Sequence, residues 1–189
     1  MRQMTSTIAL ALMLSVPLVA SGQGPTPFER GCQAFASAQY ERAAAEFREV
    51  TMTAGPEHAQ ARYNLGVCYF ELGRTEMAIA AYREAIAARR GDYAKALYAL
   101  GVALEATGRY EEASASYRLA LQRSGGRHAD AHFRLGLLAY GDGRMEAAER
   151  HFLRAVEQAE DGFPAARHNL EVCRGLFSNA RASDLARGR

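Results

Sequence analysis

Hydrophobic and polar residues alternate along most of this chain with the three- and four-residue spacing of one-sided helices. Glycines interrupt this pattern at regular intervals, at Gly73, Gly108 and Gly143. Each of these glycines is followed by an arginine, one further residue and a glutamate. The glutamate would lie in the first turn of a new helix, where the helix dipole favours an acid. The pattern therefore predicts pairs of short amphipathic helices joined by tight turns.

One sequence unit, repeated every 35 residues, produces these helix pairs. Segments beginning at Tyr63, Tyr98 and Phe133 align without a gap, and the third and fourth residues of each are Leu and Gly. The same step places a degenerate first repeat around Gly31 and a half-repeat around Leu170. We therefore predict four repeats, a capping helix and a flexible tail, with the bounds 24–58, 59–93, 94–128, 129–163, 164–177 and 178–189.

Small residues mark the places where the two helices of a repeat would approach closely. The first helices carry glycines and the second helices carry alanines twelve residues later, at Gly31, Gly66, Gly101, Gly136, Ala43, Ala78, Ala113 and Ala148. A ring follows each alanine by four residues, on the same helical face, at Phe47, Tyr82, Tyr117 and Phe152. We expect these rings to fill the gap to the next repeat, because stacked helix pairs bury apolar faces that one pair cannot.

This pattern resembles the tetratricopeptide repeat family over about residues 24 to 177. The alanine, the ring and a small residue three positions later occur in all four repeats, as Ala43, Phe47 and Val50; Ala78, Tyr82 and Ala85; Ala113, Tyr117 and Ala120; and Ala148, Phe152 and Ala155. The first repeat departs from the pattern at Arg30 and Ala34. The resemblance implies an all-α, right-handed superhelical solenoid of helix-turn-helix repeats, whose first helices line the concave side.

The resemblance also assigns the residues that would line this concave groove. They are Phe28, Cys32, Phe35, Gln60, Tyr63, Val67, Phe70, Lys95, Tyr98, Val102, Glu105, Asp130, Phe133, Leu137, Tyr140, His168 and Val172. The aromatic and aliphatic members within the four repeats are the candidate peptide-binding residues. An exposed apolar strip of this kind usually marks a binding surface, so we expect the groove to bind an extended or helical segment of a partner protein. The alternative is that some of the rings belong to the core.

The first 22 residues predict a secretory signal peptide. Arg2 precedes an apolar stretch from Ile8 to Ala20, and the small residues Ser21 and Gly22 follow it. We expect cleavage after Gly22, with a cut after Ser21 as the alternative, and export to the periplasm or beyond. The alternative is an uncleaved membrane anchor, which would place the protein in a membrane-associated complex. Thr26 and Glu29 form a predicted capping box, so the folded part would begin almost at the cleavage site.

The net charge and the motif content of the sequence reduce the number of possible function classes. The formal net charge is +2, too small to predict a nucleic-acid stripe. The sequence contains no phosphate-binding glycine loop and no hydrolase or zinc-protease motif, and we expect no cofactor. The leading interpretation is a non-enzymatic adaptor for another protein of unidentified nature. The first alternative is a self-assembling structural component of a cell-envelope complex.

A redox or metal enzyme is the remaining alternative, and three features bear on it. Cys68 and Cys173 occupy the same repeat position and are expected in the core, whereas Cys32 would face the groove. His128 and His132 stand four residues apart, but no third metal ligand is evident, so we assign no metal site.

A carboxylate clamp is also weakly indicated by resemblance. Asn64 and Lys95 match two positions at which some family members bind a partner's C-terminal carboxylate. Phe28 and Cys32 occupy the other two positions, where such a clamp would need lysine and asparagine.

Overall fold

The structure, a computed structural model, describes residues 24–52, 57–159 and 163–186, with side chains described as far as residue 176. Within these residues the chain forms nine α-helices and no strand. The helices are α1 Pro27–Ala36, α2 Tyr40–Thr51, α3 His58–Glu71, α4 Thr75–Ala88, α5 Ala94–Ala106, α6 Tyr110–Arg123, α7 Ala129–Gly141, α8 Met145–Gln158 and α9 Pro164–Ala186. The predicted all-α solenoid class is confirmed. The predicted signal peptide lies outside the described residues.

The first of two compact units ends at Arg109 and holds the helices α1 to α5. Each helix packs against the next one in sequence, and α3 also touches α5. The unit therefore contains two helix pairs and the first helix of a third. The alanines predicted at close helix contacts, Ala43 and Ala78, are fully buried in it.

The second unit begins at Tyr110 and holds α6 to α9, which also pack in sequence order. Part of its core consists of Ala139, Ala148, Phe152, Leu170 and Cys173. The final two of these residues come from α9, so this helix covers the apolar face of the α7–α8 pair. No helix in the described part of the chain combines the length and hydropathy needed to cross a membrane.

Local sequence signals set the helix ends. Thr26 forms the predicted capping box: its hydroxyl accepts from the Glu29 amide, and the Glu29 carboxylate accepts from the Thr26 amide at 2.8 Å. Gly73 has a φ angle of +72°, a left-handed conformation that an L side chain rarely adopts. Gly108 and Gly143 repeat this conformation at the equivalent turns. The turn glycines therefore end the first helices as the sequence pattern predicts.

The glycines of the first helices leave room for the aromatic ring of the second helix of the same repeat, rather than for its alanine. A Cβ atom added to Gly66 would lie 2.6 Å from the Tyr82 ring, and one added to Gly136 would lie 2.6 Å from the Phe152 ring. Gly31 and Phe47 have the same relation. We expected these rings to fill the gap to the next repeat; instead, each lies directly against the glycine of its own repeat. The missing Cβ is what lets the two helices approach over a ring.

The C-terminal helix is longer than the sequence pattern predicts. The predicted capping helix ends at residue 177, but α9 continues to Ala186. The flexible tail expected from residue 178 is therefore helical over most of its length. The absence of an apolar stripe predicts a tail, yet residues 178–186 contain neither glycine nor proline and include three alanines, one leucine and one arginine, which favour a helix.

Candidate functional site

The first helices of the first unit carry the larger part of the predicted groove, and the structure divides its residues into two sets. Phe35, Tyr63 and Val67 are 6 %, 5 % and 0 % exposed. The expectation that they line an open groove is wrong, because they belong to the core. The other aromatic and aliphatic groove residues predicted in this unit are half-buried: Phe28, Phe70, Tyr98 and Val102.

Tyr63 is buried because two other tyrosines cover it. The ring centroid of Tyr82, from the second helix of the same repeat, lies 5.9 Å away, and that of Tyr93 lies 5.6 Å away. The Tyr93 hydroxyl donates to Gln60 Oε1 at 2.7 Å, and Gln60 Nε2 donates to Asn64 Oδ1 at 3.0 Å. Asn64 is fully buried, so its side chain is not available to a carboxylate clamp as the structure stands. Burial also raises the pKa of the Tyr93 hydroxyl to about 12.

The sequence analysis missed Tyr93, whose ring covers the predicted groove residue Tyr63. It immediately precedes α5, and the Arg89 guanidinium lies 5.1 Å from its ring centroid. A signal for it was present, because a ring occurs at every 35-residue step from this position, at His58, Tyr93, His128 and Phe163. The Leu-Gly pair defines the repeat register but does not mark this position, which lies at or just before the start of a helix.

The second unit shows the same covering contact. Phe133 has its ring centroid 5.9 Å from that of Phe152 and 4.8 Å from that of Phe163, the residue before α9. Phe133 and Leu137 are half-buried and pack against the core of this unit. Tyr140, at 38 %, is the most exposed of the aromatic and aliphatic groove residues predicted in the four repeats.

Besides Phe28 on α1, three of the aromatic and aliphatic groove residues predicted in the first unit stay partly exposed: Phe70 on α3, and Tyr98 and Val102 on α5. We call these three half-buried residues the first-helix strip. The two helices touch, so their side chains come from neighbouring elements. Gln60 and Lys95, which precede the strip residues on the same two helices, are exposed. Apolar side chains with polar neighbours at the rim are the usual anatomy of a protein-binding surface.

The cysteines show the chemistry of core residues rather than of nucleophiles. All three are free thiols. Burial raises the pKa of the Cys32 thiol, and the nearby carboxylates of Glu57 and Glu29 raise it further. Burial raises the pKa of Cys68 to about 12. Because the thiolate is the reactive form, these environments do not favour the redox alternative.

The histidines are arranged differently from the expected pair. His128 caps α7, its Nδ1 accepting from the Ala131 amide at 3.3 Å. The Nδ1 atom of His132 instead lies 3.1 Å from that of His151 on α8. Burial, followed by His132 and nearby arginines, lowers the pKa of His151 to about 4. Among the described residues, no three or more histidine, cysteine or acidic side chains cluster as metal ligands.

The second helices present charged residues to solvent. Arg83, Glu84, Arg118 and Arg150 are exposed, as expected for an outer face. Two ion pairs join second helices to the turn of the following repeat, Arg74 to Glu41 and Arg109 to Glu76, each at 3.7 Å. Such exposed pairs contribute about 0–1 kcal/mol, so they do not decide the fold.

Comparison with known proteins agrees with this architecture. The tetratricopeptide repeat family model matches residues 28–93, 78–127 and 98–163, more than half of the chain. The protein therefore belongs to the tetratricopeptide repeat family. This family and this fold support a scaffold for protein–protein interaction, since tetratricopeptide repeat proteins bind other proteins and are generally not enzymes.

Solved structures of MamA share the fold. One crystal structure of MamA protein is 21 % identical, with a TM-score of 0.70, and the match covers 82 % of this chain and 85 % of that one. Another is 20 % identical, with a TM-score of 0.67, and covers 78 % and 84 %. MamA from Desulfovibrio magneticus RS-1 (residues 41 to the end) is 22 % identical, with a TM-score of 0.62, and covers 70 % and 73 %. No curated protein sequence matches significantly.

Proposed function

We propose that this protein is a scaffold that binds an apolar segment of a partner protein on the first-helix strip. The observation that carries the proposal is the partial exposure of Phe70, Tyr98 and Val102 on two adjacent first helices. The residues at the same three positions of the preceding repeats, Phe35, Tyr63 and Val67, are buried. Aromatic side chains give a large contact area at low entropic cost, which suits a binding surface.

Because Tyr63 is buried, we expect other residues to provide the affinity for the partner segment. A substitution at Tyr63 would disturb the core, because the side chain is 5 % exposed and lies against Tyr82 and Tyr93. Tyr98 and Val102 are the better candidates for direct contact, since both are half-buried on α5. In the second unit Tyr140 offers a separate exposed ring.

The test is a peptide-display selection against the folded protein, followed by affinity measurement on the selected peptides. We expect apolar peptides to be enriched and to bind the Tyr98→Ser, Val102→Ser double variant at least ~10-fold more weakly, because one hot-spot ring contributes about 1–4 kcal/mol. Fluorescence anisotropy of labelled peptides gives the Kd values.

The matched control is Met77→Ser, an apolar-to-polar change at a residue that is 46 % exposed on the second helix α4. Its Kd values should equal those of the unsubstituted protein. Circular dichroism of each variant checks that the helices are intact. Equal binding by the double variant and the control, or no enriched peptide at all, contradicts the proposal.

We further propose that the protein is exported after cleavage following Gly22. The charged, apolar and small-residue order of residues 1–22 supports this proposal. N-terminal sequencing of protein recovered from the envelope fraction tests it. A mature chain that begins at Gln23 is the expected result, and an intact Met1 in the membrane fraction would favour the anchor.

A further inference from the structure

We propose that three histidines make the second unit sensitive to acid, because the contacts that hold the beginning of α7 need their side chains to be neutral. His128 is the N-cap residue of α7, His132 lies one turn further along the same helix, and His151 lies on α8. All three are half-buried. We call these three residues the histidine cluster.

His128 holds the first turn of α7 through a lone pair. Its Nδ1 atom accepts a hydrogen bond from the Ala131 amide at 3.3 Å. An imidazole nitrogen accepts a hydrogen bond only while it carries no proton. A protonated His128 would direct one N–H group at another, so this cap exists only in the neutral form.

His132 joins the connection before α7 to the helix itself. Its Nε2 atom lies 3.3 Å from the Gly126 carbonyl oxygen, which can only accept a hydrogen bond. The Nε2 atom therefore carries the proton of the neutral ring, and the Nδ1 atom has the lone pair. Gln158 of α8 donates to the same carbonyl at 2.8 Å. The connection, α7 and α8 thus meet at one carbonyl group.

The contact between His132 and His151 has room for one proton only. Their Nδ1 atoms are 3.1 Å apart, so the His151 Nδ1–H donates to the His132 Nδ1 lone pair. One additional proton can bind at His151 Nε2. A second would have to bind at His132 Nδ1, where two N–H groups would then face each other. The folded pair therefore binds fewer protons in acid than two separate histidines bind.

The charges around His151 oppose even the first additional proton. Burial, followed by His132 and three arginines, lowers the pKa of His151 from its ordinary value of 6.5 to about 4. The arginines come from α6, from the residue before α8 and from α8 itself: Arg118, Arg144 and Arg150. The helix α9, which packs on α8, brings Arg174 into an ion pair with Glu149 at 2.9 Å.

The other two histidines have mixed surroundings with the same net direction. Burial lowers the pKa of His132, the hydrogen bond to Gly126 raises it, and Arg154 lowers it. Burial lowers the pKa of His128, whereas the Asp130 carboxylate raises it. In both cases burial is the largest effect, so the folded protein favours the neutral ring.

These shifts determine the sign of the pH dependence. The unfolded chain binds more protons than the folded one wherever folding lowers a histidine pKa. The stability that the histidine cluster contributes is therefore complete above pH 6.5 and is lost as the pH falls towards 4. For His151 alone, the folding equilibrium constant should fall about 20-fold between pH 7 and pH 5.

The experiment is urea unfolding of the full chain at pH 7 and at pH 5, with and without the His132–His151 pair. The double variant His132→Leu, His151→Ser carries the residues of the third repeat, Leu97 and Ser116, which are buried at the equivalent positions. Between the two pH values the unsubstituted protein should lose about 20-fold more in folding equilibrium constant than this variant. His168→Gln, at an exposed histidine of α9, is the matched control and should keep the full loss. An equal loss in the double variant and the unsubstituted protein overturns the proposal.

A second measurement uses the unsubstituted protein and does not depend on the variants folding. Hydrogen–deuterium exchange of the first amides of α7, corrected for the intrinsic effect of pH, should become at least ~10-fold faster at pH 5 than at pH 7. Amides of α3 in the first unit serve as the reference and should change less. Unchanged protection of α7, or the same change in both helices, contradicts an acid-sensitive beginning of α7. Neither measurement involves peptide binding to the first-helix strip, so the two proposals fail separately.

Discussion

At the scale of single residues, the close packing of the two helices of a repeat depends on glycines, which have no Cβ atom. Gly66 lies beneath the Tyr82 ring, and Gly136 lies beneath the Phe152 ring. A Cβ atom added to either glycine would lie 2.6 Å from the ring, closer than real Cβ atoms approach other atoms. The rings themselves are fully buried. A residue that contributes no side chain therefore decides how closely two helices pack, because protein interiors have few voids that can absorb an added methyl group.

We predict that Gly66→Ala lowers the free energy of unfolding by about 1–3 kcal/mol, since the added Cβ must displace the Tyr82 ring. Urea denaturation followed by circular dichroism measures the change. Gly175→Ala is the matched control, because an added Cβ there meets no atom within 4 Å. It should raise stability by about 0.5–1 kcal/mol through helix propensity. Equal effects of the two substitutions would contradict this account.

At the scale of helices, a ring just before the start of one helix closes over the ring at the fifth position of the preceding repeat. Tyr93 covers Tyr63 in the first unit, and Phe163 covers Phe133 in the second. The connecting segments thus contribute to packing as well as joining the helices. This contact decides which of the predicted groove residues are exposed to solvent.

Tyr93→Ala should destabilise the protein by about 2–4 kcal/mol, because the tyrosine is 8 % exposed and its loss leaves a cavity over Tyr63. Tyr93→Phe removes only the hydroxyl that donates to Gln60 and should cost about 0.5–1.5 kcal/mol. Thermal or urea unfolding distinguishes the two. Tyr110→Ala, at a tyrosine that is 55 % exposed, serves as the comparison and should change stability by about 0.5 kcal/mol or less.

At the scale of the whole molecule, the last helix acts as a cap. Ala166, Leu170 and Cys173 are buried, whereas Glu171 and Arg174 on the same helix are exposed. Arg174 also pairs with Glu149 of α8 at 2.9 Å. A terminal repeat needs one apolar and one polar face, because no further repeat follows to cover it.

A chain that ends at residue 163 lacks α9 and exposes the apolar face formed by Ala139, Ala148 and Phe152. We expect it to aggregate or to unfold at a clearly lower temperature. A chain that ends at residue 176 keeps Leu170 and Cys173 and should unfold close to the full-length protein. Light scattering during a thermal ramp reports both quantities. If the two truncations behave alike, α9 is not the cap described here.

Much of the fold could be predicted from the sequence because its signals are local and repeated. The helix pairs, the turn glycines and the capping box at Thr26 follow from periodicity and backbone preference, and the structure has all of them. An apolar stripe predicts only the part of α9 that packs against the core, so its full extent does not follow from the sequence pattern. Residues 178–186 have helical propensity without such a stripe.

The candidate site was predictable only in part. Repeat position identified which side chains belong to the first helices, but not which of them a neighbour covers. Tyr63 and Tyr98 share one position, yet Tyr63 is buried and Tyr98 is half-buried. Likewise, the spacing of His128 and His132 suggested one pair, while the fold brings His132 to His151, nineteen residues away.

The sequence by itself determined the helical repeat and its period, since hydrophobic spacing and glycine conformation act over a few residues. The tertiary structure alone decided which rings meet water and which imidazoles meet each other. Exposure and side-chain pairing depend on contacts between helices that are distant in sequence, so no local pattern carries that information. The first-helix strip and the His132–His151 pair are both products of such contacts.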